Sequence, residues 1–363
     1  MSIRGAFSRA ATAARLPELA MWLAARSGRV PILMYHSVAS GRPEGALRSC
    51  LALLGMQVSA TTFERHMEIL AREYDVTSLS EYLASRDRHR STTRRAAVIT
   101  FDDGFVDNLT CAVPVLERNG FHATFFLIGG CVTHGQGPWI YRLYALLDLL
   151  DRATVSFSTP RVSLEGLVID SNAAKMAAIR ALRPIAMSGT DAERLMLFDR
   201  LADIALQHGR AAAPAERLFM DGTQARALVT RGFGIGGHSM THACMTELPL
   251  EAQREEVRGS AELVRALQGD GIMTFAYPFG SAGSYSTGTR TLLRESGFAC
   301  ALTTRSGLAG PGGSVFELRR LEIGEFGDAE FLATVSGLLS FPKAAARSVL
   351  ERRRQSSSGA EGL

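Results

Sequence analysis

Asp102 and Asp103 stand side by side at the end of an apolar run, Ala96-Ala97-Val98-Ile99-Thr100-Phe101, and Gly104 follows them. Two adjacent carboxylates repel each other if both ionise in a dry site, so the pair calls for a cation or a shared proton beside it. Gly104 lets the backbone turn sharply or approach a ligand closely. An isolated Asp-Asp-Gly equally suits a turn that caps the next helix, and a second segment shifts the balance. His238-Ser239-Met240-Thr241-His242 carries two imidazoles four residues apart. On a helical turn they project from one side and can bind one cation, although histidines satisfied within a core are common. Asp103 supplies a third ligand and leaves a position open for water. Two His and one Asp suit zinc or a similar divalent ion better than calcium or magnesium. An open position on such an ion is catalytic, because the metal acidifies its water and polarises a bound carbonyl.

The elements that must bring these residues together read as alternating strands and helices. Val30 to Met34 is a strand that delivers Tyr35-His36-Ser37, and Ala96 to Phe101 delivers the two aspartates. Phe233 to Gly236 leads to His238, and Met273 to Tyr277 leads to Pro278-Phe279-Gly280. In a parallel barrel all strand C-termini share one rim, so residues remote in the chain converge there. Further strands are expected at 75–79, 122–128, 298–303 and 316–323. Capping boxes open helices at Thr61-Thr62-Phe63-Glu64, Thr190-Asp191-Ala192-Glu193 and Asp221-Gly222-Thr223-Gln224. Residues 1–28 read as a surface helix and 39–59 as a long irregular loop beside the site. The rhythm breaks between 130 and 220, where a strongly apolar helix (139–150), a hairpin (155–169) and two more helices form an insertion. Insertions of that length are usually functional or partner-binding.

Composition narrows the classes. The chain has 363 residues, 46% hydrophobic and 21% charged, ordinary for a globular protein with ample core. A net charge of +4, much of it at the ends, gives no support to nucleic-acid binding. The basic termini offer a peripheral contact with a membrane surface. Five scattered cysteines (Cys50, Cys111, Cys131, Cys244 and Cys300) suit reduced thiols better than a disulfide framework. Cys244, two residues past His242, reads as a small buried residue rather than a ligand. Glu18 and Arg15 interrupt what would be the core of a signal peptide. The expectation is a cytoplasmic protein whose substrate is available inside the cell.

At these motifs the chain resembles the polysaccharide deacetylase (NodB-homology, carbohydrate esterase family 4) superfamily. Thr100-Phe101-Asp102-Asp103-Gly104 matches its first motif, His238-Ser239-Met240-Thr241-His242 its second, and Tyr277-Pro278-Phe279-Gly280 its third. The resemblance covers roughly residues 30–130 and 220–325. It implies an α/β fold, a distorted (β/α) barrel of about seven parallel strands, carrying here the mostly helical insertion. It also implies metal-assisted removal of acetyl groups from an N-acetylated carbohydrate, with one divalent ion, zinc by its donor set. By resemblance Asp102 is the general base, Asp103, His238 and His242 hold the metal, and the backbone N–H of Phe279 faces the oxyanion, flanked by Tyr277 and Pro278.

Two positions depart from the pattern. Phe275 stands where the third motif usually carries an Arg, and no histidine follows His242 to act as the usual C-terminal general acid. Pro31-Ile32-Leu33-Met34-Tyr35-His36-Ser37 resembles the N-terminal strand of the poly-N-acetylglucosamine deacetylase branch, which makes His36 the acid. Arg319 or Arg320 is the candidate to replace the missing Arg in orienting Asp102. Residues 1–29 read as a helical extension, 30–342 as the barrel, and 343–363 as a basic tail. Two other functions compete: hydrolysis of a non-sugar amide or imide on the same barrel, and glycan binding without turnover.

Overall fold

In the computed structural model the described residues are 3–40, 48–86, 95–135, 137–159, 162–210 and 218–340. The basic tail lies outside them. Seven strands close into a parallel ring in chain order: β1 (Ile32–Tyr35), β2 (Ala96–Phe101), β3 (Thr124–Leu127), β4 (Gly234–Gly237), β5 (Thr274–Ala276), β6 (Cys300–Ser306) and β7 (Leu318–Glu322). Each pairs with its successor, and β7 returns to β1, Leu33 opposite Ile99 on one side and Leu321 on the other. Closure leaves no barrel edge to pair with another chain.

The two faces of each strand separate two cores, as the period of two demands. Ile32, Val98, Phe126, Ala276, Cys300, Leu302 and Leu318 come from six different strands yet form one buried cluster, which therefore fills the barrel. Leu33, Ile99, Phe101, Phe125, Ile235 and Leu321 face outward onto helices such as Ala60–Glu73 and Gly222–Thr230.

Away from the motifs, local structure departs from the sequence reading in four places. The stretch expected as a loop at 39–59 contains a helix, Arg48–Leu53, and a strand, Gln57–Ser59, that pairs in parallel with Ser37–Ala39. The expected capping box at Thr61 is displaced: Ser59 caps the helix, and Glu325, remote in sequence, accepts from the Ser59 N–H at 2.6 Å and the Thr62 hydroxyl at 2.5 Å. The strand expected at 75–79 shrinks to Asp75–Val76, paired with Ala96 and Ala97 below the point where β1 joins β2. The N-terminal extension is two helices, Ile3–Ala13 and Leu16–Arg26, broken at Arg15 with φ of 54°.

The insertion follows its expected outline. It holds the helices Trp139–Leu149, Asn172–Ser188 and Asp191–Gln207 and the antiparallel hairpin Ala153–Ser158 with Ser163–Ile169. Leu143, Leu147, Val155, Leu182, Leu197 and Leu201 give it a core, continuous with Phe105 and Ile128 at the barrel rim. The inserted helices are thereby fixed against the end of the barrel where the motifs lie.

Candidate active site

β2 ends at Phe101, and the Asp102 N–H still donates to Tyr35 O at 2.9 Å. Asp103 (φ 72°) and Gly104 (φ 74°) then take consecutive left-handed conformations that turn the chain across the rim. Ser239, His242 and Phe279 are left-handed as well, so four of the six such non-glycine residues among those described gather at one site. Each costs about 1–3 kcal/mol and persists only where the surroundings impose it.

Asp102 is buried and held by a fork. Arg320 Nη1 and Nη2 donate to its two carboxylate oxygens at 2.7 Å each, and Arg320 Nε donates to Thr303 O at 3.0 Å. Burial alone would raise the Asp102 carboxyl; the Arg320 charge and His238 outweigh it and hold it below the ordinary carboxylate value. Of the two arginines considered from sequence, Arg320 meets Asp102, whereas Arg319 Nη1 donates to Ser306 O at 3.3 Å on the exposed side. Phe275, at the usual arginine position, packs in the outer core against Tyr277 and Phe298.

Asp103, His238 and His242 form a buried group whose ligand atoms all lie within 4.8 Å of one another. The Nε2 atoms of His238 and His242 each approach Asp103 Oδ1 at 3.3 Å. Neither contact is aligned as a hydrogen bond, and Oδ1 has no donor among the described residues. His238 Nδ1 donates to Ala276 O at 2.8 Å, which in the neutral ring leaves the Nε2 lone pair facing the carboxylate. One carboxylate oxygen and two imidazole nitrogens turned toward one point are mutually repulsive unless a cation or protons lie between them. The two 3.3 Å separations from Asp103 match the edge of a tetrahedron about one ion, ~3.3 Å for metal–ligand bonds near 2.0 Å. The residues therefore suit a divalent cation with an N₂O donor set, the preference of zinc-like ions. Burial would raise the Asp103 carboxyl, but His238 and His242 hold it well below the usual carboxylate range. Burial lowers His238, an effect overcome by Asp103 and Asp102, so its value ends up raised; burial dominates at His242 and pushes it down to about 4.

The histidines do not sit on a helical turn, as their spacing suggested. Residues 238–242 form a loop pinned from outside. Glu256, on the helix Leu250–Gln268, accepts from the N–H groups of Met240 (2.7 Å) and Thr241 (2.9 Å) and from the Thr241 hydroxyl (2.7 Å). The N–H groups of Gly129 and Gly130 donate to Ser239 O and Met240 O.

His36 Nε2 lies 4.0 Å from Asp103 Oδ2 and keeps 12% side-chain exposure, so it borders the Asp103–His238–His242 group while open to a ligand. Its segment is fixed by a π-helical turn, Asn108–Ala112, of the kind that recurs at functional sites. Asn108 Nδ2 donates to His36 O at 2.7 Å, and the neighbouring Ser37 hydroxyl donates to Asp107 at 2.6 Å. Phe279 lies half-buried at the rim, its ring 5.1 Å from His242 and 6.2 Å from Trp139. Tyr277 is elsewhere. It is fully buried, stacked on Tyr285 at 4.1 Å, with its hydroxyl donating to Phe316 O, so its side chain serves the barrel wall. Pro278 is buried beside it. Cys244 is buried and free, its Sγ turned toward Thr246 and Ser284 and not to the cation group.

Sequence reasoning missed Tyr141 and Glu256. Tyr141, on the inserted helix Trp139–Leu149, donates its hydroxyl to Asp103 Oδ2. Nothing in the motifs marks either residue. The signal available was the apolar density of the inserted helix, which required a buried face and so brought any polar tip on it to the rim.

Comparison with known proteins came to the same motifs. The polysaccharide deacetylase family model matches residues 89–153 and 207–301. A Bacillus subtilis (strain 168) protein, YxkH, which bears a polysaccharide deacetylase name, is 33% identical over 110 residues, covering 30% of this chain and 35% of that protein. The chain thus matches about a third of the length of that relative. Among solved structures, Streptococcus pyogenes deacetylase PplD in complex with acetate superposes with a TM-score of 0.55 at 17% identity, over 85% of this chain and 98% of that one. IcaB from Ammonifex degensii gives 0.51 at 16% identity, over 85% and 97%. At these identities the two structures share the fold.

Proposed function

We propose that the chain, which resembles the polysaccharide deacetylase superfamily over the residues the family model matches, is a metal-assisted hydrolase that removes acetyl groups from an N-acetylated sugar, oligosaccharide or lipid-linked glycan in surface-polysaccharide metabolism. The observation that carries this reading is the buried Asp103–His238–His242 group with the ionised Asp102 carboxylate one residue away.

Each residue takes a role from its surroundings. Asp103, His238 and His242 would hold the cation, which when bound polarises the acetamido carbonyl and acidifies water. Asp102 stays ionised at neutral pH because Arg320 holds its carboxyl low, so it is ready to accept the proton of the attacking water. The hydroxyl adds to the carbonyl carbon, and the Phe279 N–H stabilises the oxyanion that forms. His36, on the open side of the site, gives a proton to the departing amine as the C–N bond breaks. Its N-terminal position follows the layout of the poly-N-acetylglucosamine deacetylase branch, and general acids of this kind contribute about 10²–10⁴-fold. Trp139 and Phe279 lie 6.2 Å apart, ring to ring, with the Arg183 guanidinium 5.8 Å over Phe279, a group suited to the apolar face and the hydroxyls of a sugar ring.

The test is acetate release from N-acetylated oligosaccharides by the full chain after dialysis against chelator, before and after adding zinc. Restored turnover is expected. His36→Ala should lose about 10²–10⁴ in kcat with zinc content unchanged. Turnover of cyclic imides but no acetylated sugar would point to the amide-hydrolase reading, and glycan binding without turnover to a non-catalytic relative.

A further inference from the structure

Eleven large apolar side chains are exposed among the described residues, and five of them fall between Phe7 and Leu23. Four belong to the helix Leu16–Arg26, which is apolar on two opposite sides. Pro17, Ala20, Met21 and Ala24 are buried against the body of the protein, while Leu16, Leu19, Trp22 and Leu23 are 40–54% exposed. At 100° per residue these four span an arc of about 120° directly away from the buried face. Such a continuous ridge is unusual on a surface that meets only water.

The charges around the ridge decide what covers it. Arg9, Arg15, Arg26 and Arg29 are exposed in this extension, and Glu18 is the single acid among residues 1–30. Arg26 falls within the exposed arc and lies over the Trp22 ring at 4.8 Å. The tail 341–363 has five basic and two acidic residues, so its net charge has the same sign as this face. Leucines, a tryptophan and arginines on one outward side match the boundary between acyl chains and anionic headgroups. No described helix is long and apolar enough to cross a membrane, so the contact would be one of lying on the surface. We infer that the helix Leu16–Arg26 docks the protein on an anionic lipid bilayer, Leu16, Leu19, Leu23 and Trp22 entering the interface and Arg15 and Arg26 meeting lipid phosphates. This inference stands independently of the deacetylase reading.

The experiment is flotation of the full chain with vesicles of phosphatidylcholine alone and of phosphatidylcholine mixed with phosphatidylglycerol. Binding to the mixed vesicles about tenfold or more tighter than to the neutral ones, and weakened by salt, is expected. The double variant Leu19→Glu with Leu23→Glu should lose that binding at an unchanged melting temperature. Arg15→Gln with Arg26→Gln should bind both vesicle types alike. Equal or absent binding by the unaltered chain overturns the inference. So does a homodimer that the leucine variant splits, or binding abolished by Arg352→Gln, Arg353→Gln and Arg354→Gln while the leucine variant still binds.

Discussion

Asp102 and Arg320 lie 218 positions apart and depend on each other. A buried carboxylate without its partner is an uncompensated charge, so Arg320→Ala should destabilise the fold by about 3–5 kcal/mol at pH 7. The Asp102 carboxyl is held low in the folded chain, so this stabilisation is present above the unfolded carboxyl value and fades as pH falls and the folded carboxyl protonates. Denaturant midpoints at neutral and acid pH would show the variant's deficit shrinking toward acid. In Arg320→Lys the fork becomes a single contact, and the acid limb of kcat/KM should move to higher pH. Sequence alone left the choice between Arg319 and Arg320 open for a physical reason. Leu318-Arg319-Arg320-Leu321 reads the same from either end, so alternation could turn either arginine inward. The register of β7, with Leu318 in the barrel core and Leu321 outside it, settles the matter. Tyr141 makes a second residue-scale case. Its hydroxyl occupies Asp103 Oδ2 and leaves Oδ1 to face the histidines. Tyr141→Phe should weaken zinc binding about 10–100-fold by competition with a chromophoric chelator, with melting little changed. Unchanged affinity would reduce Tyr141 to a packing residue.

The strands and their terminal residues were legible because a buried parallel strand is a short apolar run and each reactive residue follows one directly. The loop that carries the histidines was not. A four-residue separation is helical spacing, but Ser239 and His242 adopt left-handed backbone that only the rest of the fold imposes. The pins are Glu256, 15 to 16 residues downstream on another helix, and the N-terminus of the helix Gly129–His134, far away in the chain. Glu325 at the Ser59 cap is another carboxylate whose target no local pattern announces. A Cβ at Gly130 would sit 2.8 Å from Met240 O, so Gly130→Ala must push the loop away from its pin. The expected result is zinc affinity lower by about tenfold or more with a loss of about 1–3 kcal/mol in stability. Glu256→Ala, which removes three hydrogen bonds from outside the site, should reproduce the affinity loss. Binding titrations on both variants that matched the unaltered chain would mean the loop holds its shape without these supports.

At the scale of the whole molecule the barrel joins the N-terminal strand to the C-terminal one, and a histidine outside the site monitors that junction. His66 is fully buried on the helix Ala60–Glu73, stacked on Phe331 at 3.9 Å. Its Nε2 donates to Phe326 O at 2.9 Å, so Nδ1 is the acceptor for the Tyr35 hydroxyl at 3.2 Å. β1, the β7-to-helix connection and the final described α-helix, Asp328–Val335, therefore meet on one neutral imidazole. Burial pushes His66 down to about 4, against the weaker pull of the Phe326 carbonyl, Glu325 and Asp328. A folded value below the unfolded one means that the unfolded chain takes up the proton first. Stability should accordingly fall as pH drops from about 6.5 toward 4 and level off below, by about 2–3 kcal/mol between pH 7 and 4.5 from this residue. His242, also near 4 without a cation, pushes the same way, so the comparison belongs in chelator for both proteins. His66→Gln retains a donor and an acceptor but cannot take the proton. Its denaturant midpoint should fall less steeply over that window than that of the unaltered chain, and parallel slopes would place the acid sensitivity elsewhere.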